Sequence, residues 1–162
     1  MSEVAPQVEA FWQAFIATLP PEVDIPGEYE AWSFGDSPEM ADELGQLVLS
    51  GLKTATCCSL WALELEKEPL PERGNYSVLL DGRKEPLCVI LTTEVETKPY
   101  NEVDANFARA EGEGDRSLVY WREAHRRFFT REGSSLGYGF EETMPLVCER
   151  FQVVYPAVAK DA

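Results

Sequence analysis

A helix with both ends marked, followed at once by a threonine-rich extended run, constrains this chain more than any other part of it. Asp36-Ser37-Pro38-Glu39 supplies a capping side chain, a proline suited to the first helical position and an acid for the first turn. Met40, Leu44, Leu47 and Val48 then recur at helical spacing, and Gly51 stands where a left-handed stop belongs. The spacing predicts a helix ending at Ser50 or Gly51. Just beyond it the stretch Gly51 to Ser59, GLKTATCCS, carries Lys53 and Thr56 three residues apart on a segment leaving the helix. Turned inward together, the amine and the hydroxyl are a base and a nucleophile. Turned outward, the lysine complements the helix dipole and the TAT run is ordinary strand material.

The flanking segments read as a mixed fold. Val8, Phe11, Trp12, Phe15 and Ile16 recur at helical spacing until Pro20 and Pro21, which predicts an amphipathic helical segment at about residues 5–20. Trp32 and Phe34 alternate with polar neighbours, as in a strand, and share a face that either joins the core or stacks on a nucleobase. Leu60 to Leu65 reads as a brief helical turn. Tyr76 to Leu80 and Pro86 to Thr97, joined through Asp81-Gly82, read as an antiparallel hairpin. Leu146 to Tyr155 is a further strand, with Glu149 interrupting the apolar face of Val147, Phe151, Val153 and Tyr155. Non-consecutive strands among helices point to an α+β fold with a small curled sheet or barrel flanked by helices. At 162 residues, 44% of them hydrophobic, the chain suits a single domain with a real core.

Charge and cysteine usage narrow the function classes. A formal net charge of −15 repels polyanions, so a long nucleic-acid footprint is disfavoured and any RNA contact is local. The basic concentration is Arg116, Arg122, Arg126, Arg127 and Arg131, with Arg109 just before it, in a chain holding 14 Lys plus Arg. That patch either meets a phosphate or pairs with Glu123 and Glu132 on a solvated helix face. The four cysteines, Cys57, Cys58, Cys88 and Cys148, contain no C-x-x-C pair and read as reduced, buried thiols. The single histidine, His125, is remote in sequence from the cysteine couple, which argues against zinc. No apolar run approaches the ~20 residues of a membrane span, and the N-terminus lacks a signal-peptide pattern. The expected location is cytoplasmic.

Ala110-Glu111-Gly112-Glu113-Gly114-Asp115 precedes a helical pattern of Leu118, Trp121, His125, Phe128 and Phe129. Glycines let the backbone turn tightly, so Glu111 and Glu113 can be presented to a pocket while Asp115 or Ser117 caps the helix. The acids also simply favour the positive helix end.

These segments carry a resemblance. YEAWSFGDSPEMADELGQLVLSGLKTATCCS, LCVILTTEVE, NEVDANFARAEGEGDRSLVYWREAHRRFF and VCERFQVVY together resemble the ASCH domain family, a branch of the PUA-like β-barrels, over roughly Val8 to Tyr155. The family's G-x-K-x-x-E-x-R turn is matched at Gly51 and Lys53, whereas Thr56 stands at its glutamate and Cys58 at its arginine. The resemblance implies one PUA-like domain over 1–162, with a cleft for RNA or a nucleoside walled by the Lys53 turn. Small members with K-x-x-T remove the acyl group of N4-acetylcytidine through a threonine, a lysine and a downstream glutamate, which implies Thr56, Lys53 and Glu113 here, with Glu111 the other candidate acid. Trp32, Phe34, Glu111 and Arg109 are the expected substrate contacts, the partner being a modified nucleoside or short RNA, with no cofactor. Other members are metal-dependent ribonucleases or RNA binders. On the ribonuclease alternative, Glu111, Glu113 and Asp115 gather Mg²⁺ or Mn²⁺ while Lys53 and the arginines receive phosphate.

Overall fold

A computed structural model describes residues 4–156. Along the chain run α1 (Pro6–Ala17), β1 (Glu30–Trp32), α2 (Pro38–Leu49), β2 (Ala55–Ser59), α3 (Leu60–Glu66), β3 (Tyr76–Leu80), β4 (Pro86–Pro99), α4 (Ala105–Glu111), α5 (Leu118–Leu136) and β5 (Pro145–Tyr155). The strands form one sheet in the order β1-β3-β4-β5-β2. β1 runs parallel to β3, and every other neighbouring pair is antiparallel. Irregularities at Val89/Ile90 and Thr92/Glu94 break the long β4–β5 ladder. Each bends and twists its strand, so the sheet curls into a half-barrel, the expected α+β architecture.

Alternation along the strands decides which helix covers which face. Leu79, Cys88, Ile90 and Phe151 pack with Phe34 and with Leu44 and Val48 of α2. The opposite side chains meet the other helices. Val78, Leu80 and Val89 receive Val8, Trp12 and Phe15 of α1, while Ala55, Leu146 and Cys148 receive Phe107, Trp121 and Phe129 of α4 and α5. Fully burying an apolar side chain of this size contributes roughly 1.5–3 kcal/mol, so these two cores hold the sheet between helical layers.

One local reading differs from the structure, and one element has no counterpart in the sequence reading. The strand at Trp32 stops there, and Phe34 lies in the loop behind it, because that loop must turn into the Ser37 cap of α2. The stretch before the acidic turn is itself a helix, α4, capped by the Asp104 side chain on the Phe107 N–H. Its seven residues are too few to display a period, and the buried face of Phe107, Ala108 and Glu111 is closed by a charge.

α4 ends on Gly112 at φ 74, a left-handed conformation that glycine adopts without penalty. A Cβ there would stand 2.3 Å from the Leu52 carbonyl oxygen, so the helix end lies directly on the Lys53 turn. The Thr54 N–H donates to the Ala110 carbonyl at 2.7 Å and completes that junction. Gly112→Ala is accordingly expected to lower the unfolding free energy by at least about 1–2 kcal/mol, since backbone strain alone costs that much. A urea titration checks this, and an unshifted midpoint would contradict the tight junction.

Candidate functional site

Gly51, at φ 85, stops α2, and the Leu52 and Lys53 N–H groups both fold back onto the Leu47 carbonyl at 3.1 Å. That closure swings the Lys53 side chain inward until the residue is only 2% exposed. Its ammonium donates to Glu113 Oε2 at 2.8 Å, the Ala55 carbonyl at 3.0 Å, Glu111 Oε1 at 3.2 Å and the Glu111 carbonyl at 3.3 Å. The Phe34 ring lies below it, 5.0 Å from Nζ to the centroid. Burial pushes the lysine pKa down, but Glu111 and Glu113 outweigh that and hold it above the ordinary lysine value. Lys53 is therefore an ammonium at neutral pH.

Glu111, also 2% exposed, is the hub behind it. Oε1 faces Lys53, while Oε2 accepts from Trp121 Nε1 at 2.6 Å and stands 3.3 Å from His125 Nε2. His125 stacks on Trp121 with ring centroids 4.2 Å apart, and its Nδ1 lies 2.8 Å from the Trp121 carbonyl. Both imidazole nitrogens thus face acceptors, which is the pattern of an imidazolium. Burial pushes His125 down, but Glu111 more than reverses this and raises its pKa. Burial likewise pushes Glu111 up, yet Lys53 and His125 prevail and keep its carboxyl well below the usual carboxylate range. Glu113, with a side chain 20% exposed, is the acid of this chain of charges that reaches the surface.

The ASCH domain family model matches residues 30–155. The chain belongs to the ASCH domain family. An ASCH domain from Lactobacillus crispatus JV V101 superposes with a TM-score of 0.89 at 34% identity, covering 95% of this chain and 98% of that one. Protein EF3133 from Enterococcus faecalis V583, of family model DUF984, gives a TM-score of 0.80 at 46% identity over 91% of this chain and 88% of that one. Hypothetical protein PH0355, at 11% identity and a TM-score of 0.52, shares the fold alone. No curated protein matches. The ASCH fold is one generally associated with RNA.

In this ASCH domain Lys53, Glu111 and Glu113 come together, and the other expected residues stand apart from them. Thr56 is half-buried on the face of β2 opposite Ala55 and Cys57, and its hydroxyl makes no hydrogen bond to Lys53 or Glu113. Phe34 is buried as the floor under Lys53, and Trp32 meets it edge-on at 4.7 Å, so the two rings offer no shared stacking face. Arg109 is exposed on α4, and its carbonyl accepts from Arg116 Nε. Asp115 is exposed and accepts from the Ser117 N–H, while Ser117 caps α5. Further along α5, Arg126 pairs with Glu142 and Arg131 with Asp36, so these arginines answer local acids. Beside Lys53, a hollow of about 270 Å³ opens between the end of α2 and β5, lined by Val48, Gly51, Thr54, Phe151 and Val153.

Separation in sequence hides where His125 lies. The fold sets it against Cys57 and Glu111, with ligand atoms of all three within 4.8 Å of one another. The signal was the Trp121–His125 spacing, which puts both rings on one helix face four residues apart. The trio nevertheless fits a metal poorly. An imidazolium has no free lone pair, the Cys57 thiol is pushed well up by burial and by Glu111, and Glu111 is engaged by two cations. Nor do Glu111, Glu113 and Asp115 make the Mg²⁺ or Mn²⁺ set that a ribonuclease needs, because the first two face Lys53 and the third caps a turn.

The charges predict the response to pH. His125 has a raised pKa, so its stabilisation is complete below about pH 6.5 and is lost as pH rises through the folded value. Glu111 is lowered, so its contribution is present above about pH 4.3 and is lost as pH falls through the folded value. Unfolding free energy measured against pH should fall on the alkaline side of pH 6.5 in the native chain, and His125→Gln should flatten that limb. Glu111→Gln, which leaves two buried cations facing a neutral amide, should cost about 3–5 kcal/mol in the same measurement.

Proposed function

We propose that this ASCH protein is an amidohydrolase that removes the acyl group from an N4-acylated cytosine, presented as a nucleoside or in a short RNA segment. The observation that carries the reading is the buried Lys53 ammonium, paired with Glu113 at 2.8 Å, immediately before the strand that bears Thr56. Thr56 Oγ1 attacks the acyl carbon, and the carbonyl oxygen takes up negative charge. Lys53 supplies positive potential to that oxyanion, while Glu113 orients the ammonium from the rim. β2 is an edge strand, so alternate N–H groups of Ala55–Cys57 turn away from β5 and are further candidate donors. With its pKa raised, Lys53 acts as a charge and not as the acceptor of the threonine proton. A net charge of −15 favours a small ligand over a long polyanion.

Incubation with N4-acetylcytidine should release cytidine, unaffected by a chelator. Thr56→Val and Lys53→Met should each lower kcat/KM by at least about 100-fold, the range seen when a nucleophile or an oxyanion partner is removed. Full turnover by Thr56→Val would reject the mechanism. RNA cleavage abolished by chelator would instead mark a ribonuclease, and salt-sensitive RNA binding without turnover would mark a binding module.

A further inference from the structure

A second polar set occupies the face of the sheet that carries Thr56. Thr56 of β2 and Glu149 of β5 are directly opposed in the antiparallel register, and Glu149 opposes Val95 of β4 on its other side. Directly opposed residues project from the same face with Cβ atoms about 5 Å apart, so the two side chains are neighbours on that face. Thr92 donates its hydroxyl to Glu149 Oε1, which fixes the carboxyl from β4. Cys58 follows Thr56 on the same face.

Among the described residues no lysine, arginine or histidine forms an ion pair with Glu149. The neighbouring Arg150 turns to the other face, towards Glu94 and Asn106. A half-buried carboxyl without a cation is costly to keep ionised. Burial raises its pKa, against the Thr92 hydrogen bond and with help from the Glu30 charge. A carboxyl placed beside a hydroxyl with no competing cation is free to take up that hydroxyl's proton.

Thr56 needs a proton acceptor, because an unassisted hydroxyl is a weak nucleophile. Lys53 is not one, since Glu111 and Glu113 outweigh its burial and hold it as the ammonium. Glu113 is bound to that ammonium. We propose that Glu149 is the catalytic acid and base for Thr56, a role that rests on the amidohydrolase reading of the same strand. As the Thr56 Oγ1–acyl carbon bond forms, the hydroxyl proton passes to Glu149 and the carbonyl electron pair moves onto oxygen. When the adduct collapses, the acyl carbon–N4 bond breaks and Glu149 returns the proton to the leaving amine. Water then adds to the threonine ester, giving its proton to Glu149, which passes it to Thr56 Oγ1 as the carboxylic acid departs.

Glu149→Gln is the test, since the amide oxygen still accepts from Thr92 and the fold is checked by thermal melting. With N4-acetylcytidine its kcat should fall at least about 100-fold with little change in KM, the magnitude of a lost general base. Glu149→Asp should recover part of the rate. The acid limb of the kcat/KM profile should vanish in Glu149→Gln; the groups facing this carboxyl are Thr92 of β4, Cys58 of β2 and Glu30 of β1. A second arm measures acylation of Thr56 by p-nitrophenyl acetate, read by intact mass and peptide mapping. If the native chain deacylates the nucleoside and Glu149→Gln keeps that rate, the role of Glu149 is overturned while the amidohydrolase reading stands. If the nucleoside is untouched but p-nitrophenyl acetate acylates Thr56 only when Glu149 is present, the substrate reading falls and the role of Glu149 stands. Failure of the native chain to acylate Thr56 at all overturns the proposal.

Discussion

The burial of Lys53 against Glu111 is the constraint around which this domain is arranged. An ammonium and a carboxylate taken out of water each lose several kcal/mol of solvation, which their attraction repays only with good geometry and further hydrogen bonds. Here those bonds come from the ends of three separate elements. The Lys53 turn closes α2, Glu111 closes α4, and Trp121 and His125 lie on α5. The ion pair can form only when these elements are already assembled, so it records the tertiary fold as much as it supports it. Gly112 has no freedom in this scheme, because the backbone of the Lys53 turn fills the space a side chain would take.

The charges also explain why this cluster resembles a proton path without being an exposed one. Two cations, Lys53 and His125, alternate with two acids, Glu111 and Glu113, and only Glu113 approaches the surface. Alternation of sign favours the charged forms of Lys53, Glu111 and His125. That arrangement favours a fixed electrostatic field over proton exchange, which is the form of assistance that an oxyanion requires. β2, at the edge of the sheet, also borders a second environment. Side chains alternate across β2, so Cys57 turns towards Glu111 and His125 while Thr56 turns towards Glu149. One strand thereby serves a charged interior on one side and, on the other, a carboxyl held by a hydroxyl and without a cation partner among the described residues.

Local chemistry made much of the fold legible. The cap at Ser37, the stop at Gly51, the hairpin through Asp81-Gly82 and the closing strand lie where spacing and turn residues put them, since each depends on neighbours within a few positions. α4 escaped notice because seven residues hold too little periodicity, and its buried face includes an ionisable group. The shared strand face expected of Trp32 and Phe34 failed because Phe34 belongs to the loop entering the Ser37 cap.

By itself the sequence determined where α2 stops and that Lys53 follows a left-handed glycine, and it marked the glycine-spaced acids Glu111 and Glu113 as unusual. Those are properties of bonds and dihedral angles a few residues long. Only the tertiary structure decided that Glu111 is the buried hub and Glu113 the rim, that His125 closes the charge chain, and that Thr56 faces Glu149. The reason is physical: these relations depend on the register between β2 and β5 and on the docking of α4 and α5, which join residues 14 to 93 positions apart. No local pattern encodes such a distance, and the desolvation that sets the charge states exists only after the chain has closed around them.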